Sequence, residues 1–384
     1  DSNAKLREVV SKILDNLNNI NDYSRELENI VNIADVLKDD TKTLVDIGTV
    51  LDLPNIKTSK LISTTVIRNL VNYFVDEKTA NTSEEGLLAI IETLKTNVAN
   101  ENVVVDSYAR EFDYLQQLTE SVNKNPVVYS EVGVALDKIR GTNSSRLINQ
   151  NIVNELITFY FDKFKNNANF DAEQDAELIA IVDNIKLNIP KIASYEKELT
   201  NLENLFNVVN SSDNLVIGEE LDKINGKSNL ITRDDINNIV LYYFNKQAKT
   251  YEATYESIIS QMREKLIGFK SSVGAVYKTC FTDLLSITTA FSDFDSVSNL
   301  EAFTENASNV IGEKLDQLEK ITSISDRAIT KEMANKVIDK LQTFANTTAD
   351  ETLKEKLNTA IEGVLTNETF DFVNYNTDNF NGNY

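Results

Sequence analysis

Apolar residues with helical spacing occur at the same relative positions in four segments of the chain. Counted from four isoleucines, they occupy positions +5, +8, +9 and +12, and these offsets place their side chains on one face of an α-helix. The four isoleucines are Ile62, Ile148, Ile231 and Ile329. Each is followed by a residue type that is preferred at a helix N-cap, namely Ser63, Asn149, Thr232 and Thr330. The pattern therefore predicts four capped amphipathic helices, which we call the closing helices.

A short phrase, Gly-x-x-Leu-Asp, precedes each closing helix. Its glycines lie 85, 85 and 94 residues apart (48 to 133, 133 to 218 and 218 to 312), and a nearly constant period of this length indicates a repeat array. The defining residues of the four copies are Gly48, Leu51 and Asp52; Gly133, Leu136 and Asp137; Gly218, Leu221 and Asp222; and Gly312, Leu315 and Asp316. We expect each copy to lie on a short helix, the phrase helix.

A second signature, Tyr-x-(Arg/Lys)-Glu-(Leu/Phe), lies upstream of the first three phrases and is expected to open a helix, the Tyr helix. It starts at Tyr23, Tyr108 and Tyr195. In the fourth copy, the segment from Tyr251 to Tyr255 is interpreted as a degenerate version of the signature. It lies 61 residues before the glycine (251 to 312), so about one additional helix pair is predicted between them. Each repeat is thus predicted to contain a leading amphipathic helix, a Tyr helix, a phrase helix and a closing helix.

These patterns predict an all-α fold. Only 3 Pro and 11 Gly interrupt the 384 residues, and the alternating patterns of strands are missing apart from the short run 103–105. Four imperfect repeats of about 85–95 residues are expected to stack as an elongated solenoid, and separate small bundles on a string are the alternative. The predicted boundaries are 1–80, 81–168, 169–247, 248–346 with inserted helices, and 347–384 as a partial repeat helix with an extended tail.

Both extremities of the sequence affect this picture. The chain starts on a leading helix, and residues 347–365 resemble a fifth leading helix that no complete repeat follows. Since solenoids usually finish with polar capping repeats, we expect the chain to be a piece of a longer repeating protein or to dock against neighbours at its ends. The aromatic, Asn-rich tail beyond it has no period and is expected to be extended.

Charge and composition restrict the possible partners. The net charge of −22 argues against direct binding of nucleic acid, because phosphate binding relies on clustered Lys and Arg, and it equally disfavours anionic membrane surfaces. No apolar stretch approaches the roughly 20 residues that span a bilayer, and no signal peptide is recognised at the start. The partners are therefore expected to be proteins.

Cys280 is the single cysteine, which excludes an internal disulfide framework, and it is interpreted as a buried small hydrophobe.

The residues that most catalytic sites require are missing from the sequence. Histidine is absent, which excludes Ser-His-Asp and Cys-His nucleophiles and His-based zinc sites. Neither the phosphate-binding P-loop pattern nor the dinucleotide-binding glycine pattern occurs, and one cysteine cannot form a thiolate cluster. We therefore expect no enzyme activity, no cofactor and no metal. A hydrolase that uses a pair of carboxylates is the remaining enzymatic alternative, since the chain has 60 acidic residues.

The recurring residues are given structural roles. The Asp of the phrase is expected to cap or pair with a helix of the next repeat, rather than to form a ladder of ligands. The glycine is expected to allow a close helix approach or a turn. Leu136 is predicted to lie in the core. The tyrosine of the second signature is expected to pack its ring between repeats, with its hydroxyl at the surface.

The segment 133–148, in which the phrase is followed by a Ser-rich turn, Leu-Ile and a closing helix, resembles helical repeat segments of large bacteriophage virion proteins, of the tape-measure-like or internal kind. This resemblance implies a structural virion component that binds other virion proteins or itself, and it carries no catalytic or ligand residue. The chain lacks the long uninterrupted helices and the apolar segment of a tape measure, which favours an internal, connector or tail-associated role. A bacterial helical-repeat adaptor or scaffold, in the cytoplasm, is the alternative.

Overall fold

The computed structural model describes residues 2–39, 41–82 and 85–249, together with eleven single residues: Glu256, Ser260, Arg263, Glu264, Tyr277, Lys278, Phe281, Glu351, Thr352, Lys354 and Glu355. All regular structure in these residues is helical, and no strand occurs among them. The predicted all-α class is therefore confirmed. The fourth phrase, Cys280 and most of the predicted insertion and tail lie outside the described residues.

Helices of the four predicted kinds follow one another in the same order three times within residues 2–249. The first set is α1 (Ser2–Asp15), α2 (Tyr23–Lys38), α3 (Leu44–Leu51), the single short turn α4 (Pro54–Lys57) and α5 (Thr64–Thr79). The second is α6 (Glu85–Ala99), α7 (Tyr108–Val122), α8 (Tyr129–Ile139) and α9 (Gln150–Asn166). The third is α10 (Ala176–Lys186), α11 (Tyr195–Asn210), α12 (Asn214–Ile224) and α13 (Arg233–Ala248). Leading, Tyr, phrase and closing helices thus alternate as the sequence predicts.

The closing helices begin where the polar residue after each isoleucine predicts. The side chain of Ser63 accepts a hydrogen bond from the backbone N–H three residues into α5, and Asn149 and Thr232 do the same for α9 and α13. Each therefore satisfies one of the N–H groups that a helix start leaves unpaired. These three predicted caps are confirmed, and Thr330 lies outside the described residues. Pro190, which cannot continue a helix, lies in a short 3-10 turn after α10 has ended at Lys186.

The core is formed by the predicted apolar faces. On α9 the four residues at the predicted offsets are at most 3 % exposed: Val153, Leu156, Ile157 and Tyr160. The phrase leucines Leu51, Leu136 and Leu221 are fully buried, as expected for core positions. The chain divides into two compact units, one of residues 1–167 and 186–203 and one of 168–185 with the described residues from 204 onward. This division follows packing rather than the sequence period, so the predicted repeat boundaries stay predictions.

Candidate functional site at the junctions between repeats

The glycine of each described phrase lies directly against the backbone of the next Tyr helix. A Cβ atom built on Gly48 would be 2.5 Å from the Cα atom of Ala109, which is closer than real Cβ contacts. The same atom on Gly133 would be 2.2 Å from the Cα of Glu196, and on Gly218 2.4 Å from the Cα of Lys278. Because the obstacle is backbone, no side-chain movement can relieve the overlap. Glycine is therefore required for this close approach. We call the contact between a phrase helix and the next Tyr helix a junction.

The aspartate of the phrase caps the Tyr helix at the first junction. The carboxylate of Asp52 accepts hydrogen bonds from the backbone N–H groups of Tyr108 at 2.9 Å and Ala109 at 3.0 Å. It also accepts from the hydroxyl of Ser107 at 2.8 Å, and the ammonium of Lys57 lies 3.1 Å away. Two otherwise unpaired N–H groups of α7 are satisfied, and a negative charge stands at the positive end of the helix dipole. A residue of one phrase helix thus supplies the cap of the next Tyr helix.

The next two junctions repeat this arrangement. Asp137 accepts from the N–H groups of Tyr195 at 2.7 Å and Glu196 at 3.1 Å, and from the hydroxyl of Ser194 at 3.1 Å. Asp222 accepts from the N–H groups of Tyr277 at 2.6 Å and Lys278 at 3.1 Å. The Asp of the phrase therefore has the same role at all three described junctions. Asp316 and its glycine and leucine lie outside the described residues.

The first and third junctions differ in electrostatics. Burial opposes ionisation of Asp52, but the hydrogen bonds from two backbone N–H groups, Ser107 and Lys57 prevail and lower its pKa below the ordinary 3.8. At Asp222, burial prevails over the backbone hydrogen bonds, and the nearby Glu219 adds to it, so its pKa is raised. The difference follows from the partners, because the sequence has Val276 where the first junction has a serine.

The third junction corrects the assignment of the fourth Tyr signature. The residue capped by Asp222 is Tyr277, not Tyr251 or Tyr255. Counted forward from the Asp, the three junction tyrosines lie 56, 58 and 55 residues away (52 to 108, 137 to 195 and 222 to 277). Tyr251 would be only 29 residues away (222 to 251), too near for the leading helix that precedes a Tyr helix. The interpretation of the segment 251–255 as the fourth signature is therefore wrong.

The junction tyrosines are buried, including their hydroxyl groups where a partner is seen. Tyr108, Tyr195 and Tyr277 are 7 %, 2 % and 2 % exposed, which agrees with rings packed between repeats. The hydroxyl of Tyr195 accepts a hydrogen bond of 2.7 Å from the side-chain amide of Gln150, so the expectation of a surface hydroxyl is wrong there. Tyr23, in contrast to the three junction tyrosines, is 66 % exposed. Its ring is not packed between repeats in the described part of the chain.

In α2 and α7 the glutamate of the Tyr signature binds the turn that precedes the closing helix, a role that the sequence analysis missed. Glu26 accepts hydrogen bonds from the hydroxyl of Ser59 and from the N–H groups of Lys60 and Leu61, in the turn that precedes the closing helix α5. Glu111 accepts in the same way from the hydroxyl of Ser145 and from the two following N–H groups. Both carboxylates are almost fully buried. The recurrence of Glu in the signature and of Ser before Leu-Ile was the available signal.

Two polar clefts in the described residues contain carboxylates. One of about 390 Å³ in the second compact unit contains Asp175, whose carboxylate accepts from Tyr242 and, at 2.8 Å, from Lys246. Burial opposes its ionisation, but these hydrogen bonds hold the pKa of Asp175 at about 2, so this carboxyl cannot serve as a general acid near neutral pH. Another, of about 350 Å³ in the first unit, is lined by two carboxylates, Glu77 and Glu120. This second cleft therefore offers two carboxylates to the alternative of a carboxylate-pair hydrolase.

Comparisons of the chain with protein-family models, curated proteins and solved structures gave no match. Within the described residues, no group of three or more acidic or cysteine side chains is placed to hold a metal ion. No helix in the described part of the chain combines the length and the apolar character needed to cross a membrane. The junction between a phrase helix and the next Tyr helix recurs three times in the described residues.

Proposed function

We propose that the chain is a non-enzymatic structural or interaction protein, built as an array of four helical repeats with an elongated, solenoid-like arrangement. One observation carries the proposal: the same junction, made by the glycine and aspartate of one repeat at the start of the next Tyr helix, occurs three times. In such arrays each repeat contacts only its neighbours, and one contact geometry is reused along the chain. The surfaces not used in junctions are then available for partner proteins.

The proposed setting is a bacteriophage virion, in an internal, connector or tail-associated position. The support is the resemblance of the repeats to helical segments of large virion proteins. The net charge of −22 favours protein partners over the packaged nucleic acid. The partners are then other virion proteins or further copies of the chain. A bacterial adaptor in the cytoplasm is the alternative setting for the same architecture.

The setting is tested by mass spectrometry of the proteins that co-purify with the native chain from its source. A virion component is expected to be recovered with capsid or tail proteins at a fixed ratio, and it should sediment with intact particles. The matched control is a particle preparation treated with salt, which removes loosely adsorbed protein. Recovery with one dominant cellular protein, and absence from washed particles, would replace the virion by an adaptor.

The array is tested by deleting one period. Removing residues 84–168 takes out 85 residues, so that Asp52 should cap Tyr195 in place of Tyr108. Because the two acceptors are equivalent, the shortened chain is expected to stay helical and to melt cooperatively. The control removes residues 84–124, which deletes a leading and a Tyr helix but leaves their phrase and closing helices without support. Loss of cooperative melting in the first deletion, measured by circular dichroism, would contradict the array.

A further inference from the structure

The first leading helix and the first Tyr helix carry an exposed apolar face. Six large apolar residues on α1, the following turn and α2 are 47–66 % exposed: Val10, Leu14, Leu17, Tyr23, Leu27 and Val31. Their spacings of three and four residues place them on one stripe of each helix. Exposed apolar stripes of this kind mark interaction surfaces. We call the two stripes together the acceptor face.

The residues that correspond to Tyr23 and Leu27 are buried at the three described junctions. Tyr23 is 66 % exposed, whereas the later junction tyrosines are at most 7 % exposed. Leu27 is 61 % exposed, whereas the residues at its position in the later Tyr helices are at most 1 % exposed: Phe112, Leu199 and Phe281. The start of each later Tyr helix is contacted by the phrase helix of the preceding repeat. The acceptor face therefore has the form of a junction surface on which no phrase helix lies within the described residues.

We propose that the acceptor face binds the segment Gly312–Asp316 of a second copy of this chain, which gives head-to-tail association. This inference rests on the proposed function and names a partner for it. Three phrases meet a junction tyrosine among the described residues: Asp52 with Tyr108, Asp137 with Tyr195 and Asp222 with Tyr277. The sequence contains one further phrase, which ends at Asp316, and one further Tyr signature, which starts at Tyr23.

The sequence after the fourth phrase supports this pairing. At 55–58 residues beyond Asp316, where the other phrases meet their tyrosine, the sequence reads Asp-Phe-Val-Asn (371–374). Tyr375 follows, but the residue four positions after it is Asn379, whereas the three junction tyrosines have Leu or Phe at that position. The segment 312–316 lies outside the described residues, and its assignment rests on its Gly, Leu and Asp. A phrase that docks on a different surface of an identical chain makes a heterologous contact, which extends beyond dimers.

The three described junctions define the expected contact. Gly312 should approach the backbone of Tyr23 and Ser24, and Asp316 should accept from their two N–H groups. Asp22 makes this junction different from the first two, where a serine precedes the tyrosine and donates to the phrase Asp. The carboxylate of Asp22 accepts from the N–H of Arg25 at 3.1 Å and would repel the carboxylate of Asp316. Association between copies is therefore expected to be weaker than the internal junctions, and to strengthen when salt screens the repulsion.

Sedimentation equilibrium of the full chain tests the proposal. We expect reversible association at concentrations up to about 100 µM, stronger in high salt, and at least about tenfold stronger for Asp22→Ser, which restores the serine of the first two junctions. Leu27→Lys is expected to weaken association by at least about tenfold. Because Leu27 is exposed, the fold of this variant should be intact. Gly312→Leu should abolish association through the other surface, with Asp316→Asn as a milder variant in case repeat four fails to fold.

Mixing the variants distinguishes this geometry from other modes of association. The Leu27→Lys chain keeps its phrase, and the Gly312→Leu or Asp316→Asn chain keeps its acceptor face. Each should associate at least about tenfold more weakly than the wild type when alone, and the mixture should form 1:1 dimers and nothing larger. A wild-type chain and an Asp22→Ser chain that both stay monomeric would overturn the proposal, as would association that Leu27→Lys leaves unchanged. Neither result would affect recovery with virion proteins, so the proposed function is tested separately.

Discussion

The Tyr helices α2 and α7 carry the same signature, but within the described residues only α7 has a preceding phrase helix against its start. In both, the signature glutamate is almost fully buried and binds the serine turn of its own repeat. The tyrosines differ, since Tyr23 is 66 % exposed and Tyr108 is 7 % exposed. The signature therefore combines two functions that the comparison separates. Glu stabilises a single repeat, whether or not a neighbour is present, and Tyr with the following apolar residue stabilises a junction.

The largest expected effect comes from truncating one leucine in a covered and in an uncovered Tyr helix. Leu199 and Leu27 occupy the same signature position and are 1 % and 61 % exposed. We expect Leu199→Ala to lower the free energy of unfolding by about 2–5 kcal/mol. We expect Leu27→Ala to change it by less than about 0.5 kcal/mol at concentrations where the chain is a monomer. Urea unfolding followed by circular dichroism measures both. Equal losses would mean that α2 is covered in the folded monomer.

A smaller loss is expected from adding a single methyl group at a junction. Gly48→Ala would place a Cβ atom 2.5 Å from the Cα of Ala109, so the two helices must separate. We expect a cost of about 2–3 kcal/mol, as in other overpacked contacts. Thr49→Ala, on the exposed side of the same helix, is the control and should cost less than about 0.5 kcal/mol. A Gly48→Ala protein as stable as the control would mean that the junction is looser than described.

Much of the helix pattern could be predicted because local chemistry determines it. The caps Ser63, Asn149 and Thr232 act on N–H groups three residues away, so their effect is visible in a short stretch of sequence. The capping of a Tyr helix by the Asp of the phrase was expected only as one option, because its partner lies 55–58 residues further along the chain. Whether the face around Tyr23 is covered could not be predicted, since covered and uncovered copies share one signature.

The misassigned fourth Tyr signature shows a limit of motif searches. The Tyr signature includes a Glu three residues after the Tyr, but the residue at that position after Tyr277 is Cys280. Counted back from the predicted cap Thr330, Asp326 stands where the other repeats have the serine that binds this Glu. The Glu of the signature and the Ser that donates a hydrogen bond to it are therefore both replaced in the predicted fourth repeat. The junction does not involve this Glu or this Ser. The number of residues between the phrase Asp and the next junction Tyr would have identified Tyr277.

The smallest effects on stability are expected from replacing the phrase Asp by Asn at the first and third junctions. Asp52→Asn keeps one acceptor oxygen but loses the charge at the helix start and the pairing with Lys57. We expect it to cost about 1–2 kcal/mol at neutral pH. Asp222→Asn should cost less than about 1 kcal/mol, because burial and Glu219 already disfavour the charged form of Asp222. Equal costs would show that the two backbone N–H groups alone determine the strength of a junction.

The pH dependence of these two costs should have opposite signs. The pKa of Asp52 is lowered on folding, so its contribution to stability is present above the ordinary value of 3.8 and is lost as the pH falls through the folded pKa. The pKa of Asp222 is raised, so its contribution is present below 3.8 and is lost as the pH rises through the folded pKa. The free energy of unfolding of each Asn variant, subtracted from that of the wild type, isolates each group. As the pH falls from 7 to about 3, the difference should shrink for Asp52→Asn and grow for Asp222→Asn. Parallel curves would mean that the two junctions share one electrostatic environment despite the serine and lysine at the first.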